Sequence, residues 1–140
     1  MGKIQVFLDA DVIISSLLSK TGASYEIINR TKVIKVISKI VKNEIEEVAK
    51  RLGLFHEPKK LYKNLKIVSV NATKEDVLKS YQEYVFDRED SHVVAGAKKS
   101  KSKFLLTHNI KHYNVNKINS DLGIKVIKPG NFLQYLRSSS

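Results

Sequence analysis

No cysteine occurs in the 140-residue chain, which removes disulfides, thiolate catalysis and every cysteine-based zinc site. The histidines are few, and the one pair four residues apart, His108 and His112, lacks the glutamate that follows the first histidine in a zinc protease. Long hydrophobic runs are missing too, and the first apolar stretch is broken by Asp9 and Asp11, so it is neither a membrane span nor the core of a signal peptide. The cytoplasm is the expected location, with no membrane partner. No Gly-, Pro- or Ser-rich linker divides the chain, and no internal repeat is visible. One domain over residues 1–136 is therefore expected, with residues 137–140 as a disordered tail. Acids are also scarce. Against 14 Asp and Glu stand 25 Lys and Arg, a net charge of +11, and such a surface favours polyanions. Genome bias or adaptation to heat also enriches lysine, so the charge gains meaning only beside a cluster of acids.

The residues present alternate strand and helix. Ile4, Val6, Phe7 and Leu8 read as a short buried strand that delivers Asp9 directly from its end. A carboxylate at the end of a core element needs hydrogen bonds or a cation to offset its burial; the simpler role is to cap the helix that follows. That helix breaks at Thr21-Gly22, and a second carries Tyr25, Ile27 and Ile28. KVIKVIS reads as a strand ending at Ser38, the N-cap of the helix KIVKNEIEEVAKRL. Val41, Ile45, Val48 and Leu52 form its buried stripe, with Glu44 on the stripe's flank. Glu46 and Glu47 point elsewhere, toward Lys42, Lys50 and Arg51, as a solvated face.

Pro58, Lys59 and Lys60 mark a loop or short helix, LKIVSV a strand, and Thr73 with Asp76 a capping box before the helix EDVLKSYQEYV. In FDREDSHVVAGAKK, Asp87 is a natural N-cap and Asp90 shares a face with Val93, Val94 and Ala97. The helix dipole favours acids in a first turn in any case. The strand FLL is followed at once by Thr107, His108 and Asn109, the second delivery of polar groups from a strand end. GIKVI is the last strand and PGNFLQYL the closing helix, with Pro129 near its start. The expected fold is a three-layer α/β, Rossmann-like arrangement with a parallel central sheet, in which ligands bind at the carboxyl edge.

Asp9, Glu44, Asp90 and the Asn109 amide oxygen are hard oxygen donors offered from two strand ends and two helices. Like charges so gathered call for a cation, and oxygen-only coordination suits Mg2+ or Mn2+ over zinc or copper. Acids that hold a metal within a basic surface are what phosphodiester hydrolysis needs. Lys98, Lys99, Lys101 and Lys103 are the candidates for holding nucleic acid. His108 and His112 are open to acid–base roles, although loop histidines more often have none.

VFLDADVIISSLLSKTGAS, ISKIVKNEIEEVAKRL, DREDSHVVAGA and LLTHNIKHY, in this order, resemble the PIN domain family, and the closing IKPGNFLQYL resembles its toxin–antitoxin subgroup. The resemblance implies a Rossmann-like parallel sheet and an Mg2+- or Mn2+-dependent endoribonuclease, a VapC-like toxin held inactive by a small antitoxin. It places the family's acids on Asp9, Glu44 and Asp90 and the fourth position on Asn109, where aspartate is commoner. Thr107, Asp11 and Asp87 take supporting places. RNA and an antitoxin are the implied partners, and a homodimer is open. A second reading is a PIN-fold protein with weakened metal affinity that binds RNA or a protein without cutting.

Overall fold

Runs of β-branched and aromatic residues form the strands, and in the computed structural model, which describes residues 3–54 and 57–139, all five strands found there are parallel. They are β1 (Gln5–Leu8), β2 (Ile34–Ser38), β3 (Lys66–Val68), β4 (Phe104–Leu106) and β5 (Lys125–Ile127), in the order β3-β2-β1-β4-β5. Parallel neighbours require crossovers, supplied here by helices. Those helices cover both faces, so β1 and β4 are apolar on both sides, as buried parallel strands are. Val6, Phe7, Leu8, Leu105 and Leu106 have no solvent exposure. Each such side chain contributes about 1.5–3 kcal/mol on burial. The three-layer, Rossmann-like expectation is met.

The helices are α1 (Ala10–Leu18), α2 (Ala23–Arg30), α3 (Lys39–Arg51), α4 (Glu57–Leu61), α5 (Lys74–Tyr81), α6 (Ser91–Lys99), α7 (Val115–Leu122) and α8 (Pro129–Ser138). Two caps stand as expected. The Ser38 hydroxyl accepts the Val41 N–H at 3.1 Å, and Thr73 accepts that of Asp76 at 3.0 Å. On α3 the buried stripe is Val41, Ile45 and Ala49, whereas Val48 is half-buried and Leu52 is exposed. The core side of the helix is thus rotated away from Glu44. Helix α7 goes unanticipated because its sequence is polar, yet Asn114 caps its start and Gly123, at φ 66°, ends it in the left-handed region. Helix α8 continues through Arg137 and Ser138. The expected tail is therefore helical over those two residues, and its last residue, Ser140, lies outside the described ones, as do Met1, Gly2, Phe55 and His56.

Helix α6 packs across β1, β2 and β4. Its approach is close because of Gly96: a Cβ there would stand 2.5 Å from Phe7 Cζ and 2.7 Å from Cε2. The same approach sets Asp90, at the start of α6, over the carboxyl end of β1. Because β1, β2 and β3 run to one side and β4 and β5 to the other, the strand order reverses between β1 and β4. That junction is where parallel sheets open a binding crevice.

Candidate active site

The sheet itself fixes the first two groups of the crevice. The Asp9 N–H donates to the Leu106 carbonyl at 3.0 Å and the Thr107 N–H to that of Ile127 at 3.2 Å, so each residue is the last rung of a ladder. The Asp9 carboxylate divides its work. Oδ1 caps α1 by accepting the Ala10 N–H at 2.8 Å, and Oδ2 accepts the Thr107 hydroxyl at 3.0 Å and the Tyr113 hydroxyl at 2.8 Å. The cap and the buried network, alternatives in the sequence, are both present.

Asp11, in the first turn of α1, faces the same crevice. Its Oδ2 accepts the His108 N–H at 3.1 Å and the Asn109 Nδ2 amide at 2.9 Å, and lies 3.2 Å from the Thr107 hydroxyl. Thr107 is buried, so its hydroxyl sits between two carboxylates with no access to water. Burial and the neighbouring Asp9 charge push the Asp11 carboxyl up to about 6, against the hydrogen bonds from His108, Thr107 and Asn109 that pull it down.

Asp90 arrives from the opposite side. The segment from Tyr84 to Phe86 pairs with that from His112 to Asn114, through Phe86 N–H to His112 O and Asn114 N–H to Tyr84 O, both 2.9 Å, around the Val85–Tyr113 bridge. This clip holds the turn Arg88–Asp90 beside the residues that follow β4. Burial first, then the Asp9 charge, raises the Asp90 carboxyl above its usual range, with Asp87 adding to the rise and His112 and His92 opposing it. Asp90 Oδ2 lies 3.3 Å from His112 Nδ1. The ring nitrogen is not aligned for a hydrogen bond at that distance, and Oδ2 is buried without any hydrogen-bond partner. The pair is a Coulombic contact, and Oδ2 keeps its acceptor capacity.

The structure thus brings Asp9, Asp11, Asp90, Thr107 and Asn109 together and leaves other expected residues apart. Glu44 Oε2 is 3.2 Å from His92 Nε2, in a groove lined also by Ile40, Lys74 and Arg88. Among the described residues no hydrogen bond or ion pair joins Glu44 to Asp9, Asp11 or Asp90. Glu46 instead accepts the Tyr62 hydroxyl at 3.3 Å, and Lys42 lies over the Tyr62 ring. Asp87 caps its own turn by accepting the Glu89 N–H at 3.0 Å. Asn109 turns its amide nitrogen to Asp11 rather than offering it oxygen. Lys98, Lys99, Lys101 and Lys103 follow α6 to the amino edge of the sheet, where the Lys103 N–H meets the Gln5 carbonyl at the start of β1. That is the edge opposite the acids, because α6 runs antiparallel to the strands.

Tyr113 went unrecognised in the sequence, and its role is central. It is buried, and desolvation followed by the Asp9 charge pushes its hydroxyl far up, so it remains a neutral donor. His108 is held by Ser24 Oγ at 3.1 Å, and burial with the nearby Lys128 lowers its pKa.

Donor chemistry fits a hard cation: Asp11 and Asp90 carboxyls raised by burial and by the Asp9 charge, and a buried Asp90 oxygen left without a hydrogen bond. The fit is by donor type. Among the described residues no three His, Cys, Asp or Glu side chains are gathered closely enough to hold an ion as they stand.

Fold and cluster together define a Rossmann-like α/β protein with an acidic site at its switch point. The family model described as the PIN domain matches residues 5–111, and the chain belongs to the PIN domain family. No curated protein matches the chain. Among solved structures, a chain of a toxin–antitoxin complex from Klebsiella pneumoniae is similar, with TM-score 0.67 and 18% identity over 89% of this chain and 97% of that one. VapBC2 from Rickettsia felis, bound to a DNA fragment from its promoter, gives 0.63 and 12% over 89% and 98%. VapC20 of Mycobacterium tuberculosis, described as a sarcin-ricin loop cleaving toxin, gives 0.55 and 11% over 86% and 98%. At these identities the likeness is one of fold.

Proposed function

We propose that the chain is a metal-dependent endoribonuclease that hydrolyses RNA phosphodiester bonds, the toxin of a toxin–antitoxin pair. The observation that carries the reading is Asp9 at the switch point of a PIN-family sheet, with Asp11 joined to it through the Thr107 hydroxyl and Asp90 close enough for the Asp9 charge to act on it. Similar folds occur in toxin–antitoxin complexes and in a toxin described as cleaving the sarcin-ricin loop, which supports an RNA substrate, a small antitoxin partner and a dimer.

The residues act as follows. Mg2+ or Mn2+ bound by Asp9, Asp11 and Asp90 would lower the pKa of a water and neutralise charge on the attacked phosphate. Thr107 and Tyr113 both donate to Asp9 Oδ2, which fixes the rotamer and leaves little freedom for the carboxylate to turn away. Without a cation the acids repel a phosphate, so cleavage depends on added metal. Cations nearer the site than the amino-edge lysines are available in Lys111 and Lys128, which follow β4 and β5 at the acidic edge. No helix among the described residues is long and apolar enough to cross a membrane.

Incubation with single-stranded RNA tests the reading. Cleavage in Mn2+ that stops in EDTA is expected, and RNA left uncut in both contradicts it. A second reading, a PIN-fold binder of RNA or protein that does not cut, draws support from Asn109 donating to Asp11 and from the open arrangement of the acids. Binding without cleavage under the same conditions is its signature.

In the ribonuclease reading Glu44, held by His92 at 3.2 Å, would leave that partner to support the metal. Glu44→Gln should therefore lower Mn2+-dependent cleavage by about 10- to 100-fold, as loss of a group supporting a metal site does. Glu47→Gln on the exposed face should change it by less than about twofold. Equal effects would remove Glu44 from the site.

Asn109→Asp replaces the amide donor to Asp11 with a carboxylate. Two facing acids should destabilise the metal-free protein by about 1–3 kcal/mol, and added Mn2+ should raise the melting temperature of this variant more than that of the wild type. An unchanged response to Mn2+ would place Asn109 outside the metal's reach.

A further inference from the structure

Phe86 is the most exposed of the large hydrophobic side chains among the described residues, at 72%. It does not belong to a loose loop tip. Its N–H donates to the His112 carbonyl at 2.9 Å, and its neighbour Val85 is buried and bridged to Tyr113. A fixed backbone thus holds the ring out into water, where a flat apolar ligand meets it at a small cost in side-chain entropy.

The surroundings select the ligand. Asp87 and Arg88 follow Phe86 along the chain, and Lys111 and His112 stand in the segment it pairs with; all four are exposed. A protein-docking surface is a contiguous apolar patch, whereas this ring stands among charged and polar groups. Its place is the rim of the acid cluster, since His112, to which its backbone is bonded, approaches Asp90 Oδ2 to 3.3 Å. The chain carries a net charge of +11 and so attracts polyanions, and the flat apolar units of a nucleic acid are its unpaired bases.

We propose that Phe86 is a stacking platform for an unpaired RNA base next to the phosphate engaged at Asp9, Asp11 and Asp90, an inference that rests on the ribonuclease reading. A base must leave its duplex partner and neighbours to lie on the ring. The platform therefore selects single-stranded segments and loops over duplex RNA, with little regard to base identity.

The chain contains no tryptophan, so Phe86→Trp introduces a single fluorescent reporter at the ring. The intact protein is titrated with a short single-stranded RNA and with a duplex of the same sequence, in calcium in place of manganese, with the RNA verified as uncut afterwards. Single-stranded RNA should quench the tryptophan and the duplex should not. By fluorescence anisotropy, Phe86→Ala should weaken single-strand binding by about 10-fold or more, the scale of one base–aromatic stack, and Phe86→Tyr should restore it. Duplex affinity and the salt dependence should stay the same in every variant, because the ring neutralises no phosphate. Undiminished single-strand binding by Phe86→Ala overturns the platform and leaves the ribonuclease reading standing, and so does an equal loss on both RNAs. A change of oligomeric state with RNA binding intact assigns the ring to a protein contact and overturns it as well. Wild-type protein that binds no single-stranded RNA overturns both.

Discussion

Asp9→Asn should reduce Mn2+-dependent RNA cleavage by about 100- to 1000-fold, the scale on which losing one preorganised electrostatic group lowers kcat. The substitution is nearly isosteric. It keeps one oxygen able to cap α1, and its amide nitrogen takes the place of Oδ2, donating to the Thr107 and Tyr113 hydroxyls that donated to Asp9, so the fold survives while the charge at the end of β1 is gone. The loss is therefore chemical, and a melting temperature close to that of the wild type should accompany it. Thr107→Ser keeps the hydroxyl between Asp9 and Asp11 and should retain most of the activity. If Asp9→Asn cleaved RNA at the wild-type rate, the carboxylate would be only a helix cap, which Asn performs about as well as Asp.

Among the described glycines, Gly96 is the one where an added Cβ would clash, and Gly96→Ala should destabilise the fold. Two effects compete. Alanine favours an α-helix over glycine by up to about 1 kcal/mol, but its Cβ would stand 2.5 Å from the Phe7 ring. That ring is fully buried in the central strand and has nowhere to shift. Overpacking of this kind costs about 1–3 kcal/mol and more where the neighbour cannot move, so the clash wins by about 2 kcal/mol. For a chain of this length the melting temperature should fall by roughly 6–8 °C. Phe7→Leu in the Gly96→Ala background should recover part of the loss, because the shorter side chain vacates the space. A variant as stable as the wild type would mean that α6 does not lie as close to β1 as its glycine allows.

What could be read in the sequence divides by range. Strands and caps were legible because their signals are local: Ser38 and Thr73 each bond an N–H three residues on. Asp9 and Thr107 were legible because each directly follows an apolar run, and a parallel sheet places such residues on one edge. Helix α7 was not, since Asn, Lys and Asp cover its surface and only the flanking Asn114 and Gly123 mark it. The α3 stripe was misread by one position, Ala49 for Val48, because a small residue packs where the neighbouring helix comes close and a larger one fits at the flank. Tyr113 lies 104 residues from the Asp9 it serves. Its place depends on the pairing of 84–86 with 112–114, a contact no local pattern announces. The amino-edge lysines show the converse, a run conspicuous in sequence that α6 carries away from the site.

Calorimetric titration of the metal-free protein with Mn2+ is the most direct measure of the central claim, that the carboxylates at the switch point bind a cation. The wild type should bind with measurable heat, and Asp9→Asn and Asp90→Asn should each weaken that binding by about 10-fold or more, as loss of a ligand charge requires, while Glu47→Gln leaves it as it is. Binding of equal strength in wild type, Asp9→Asn and Asp90→Asn would contradict the claim and place any metal elsewhere.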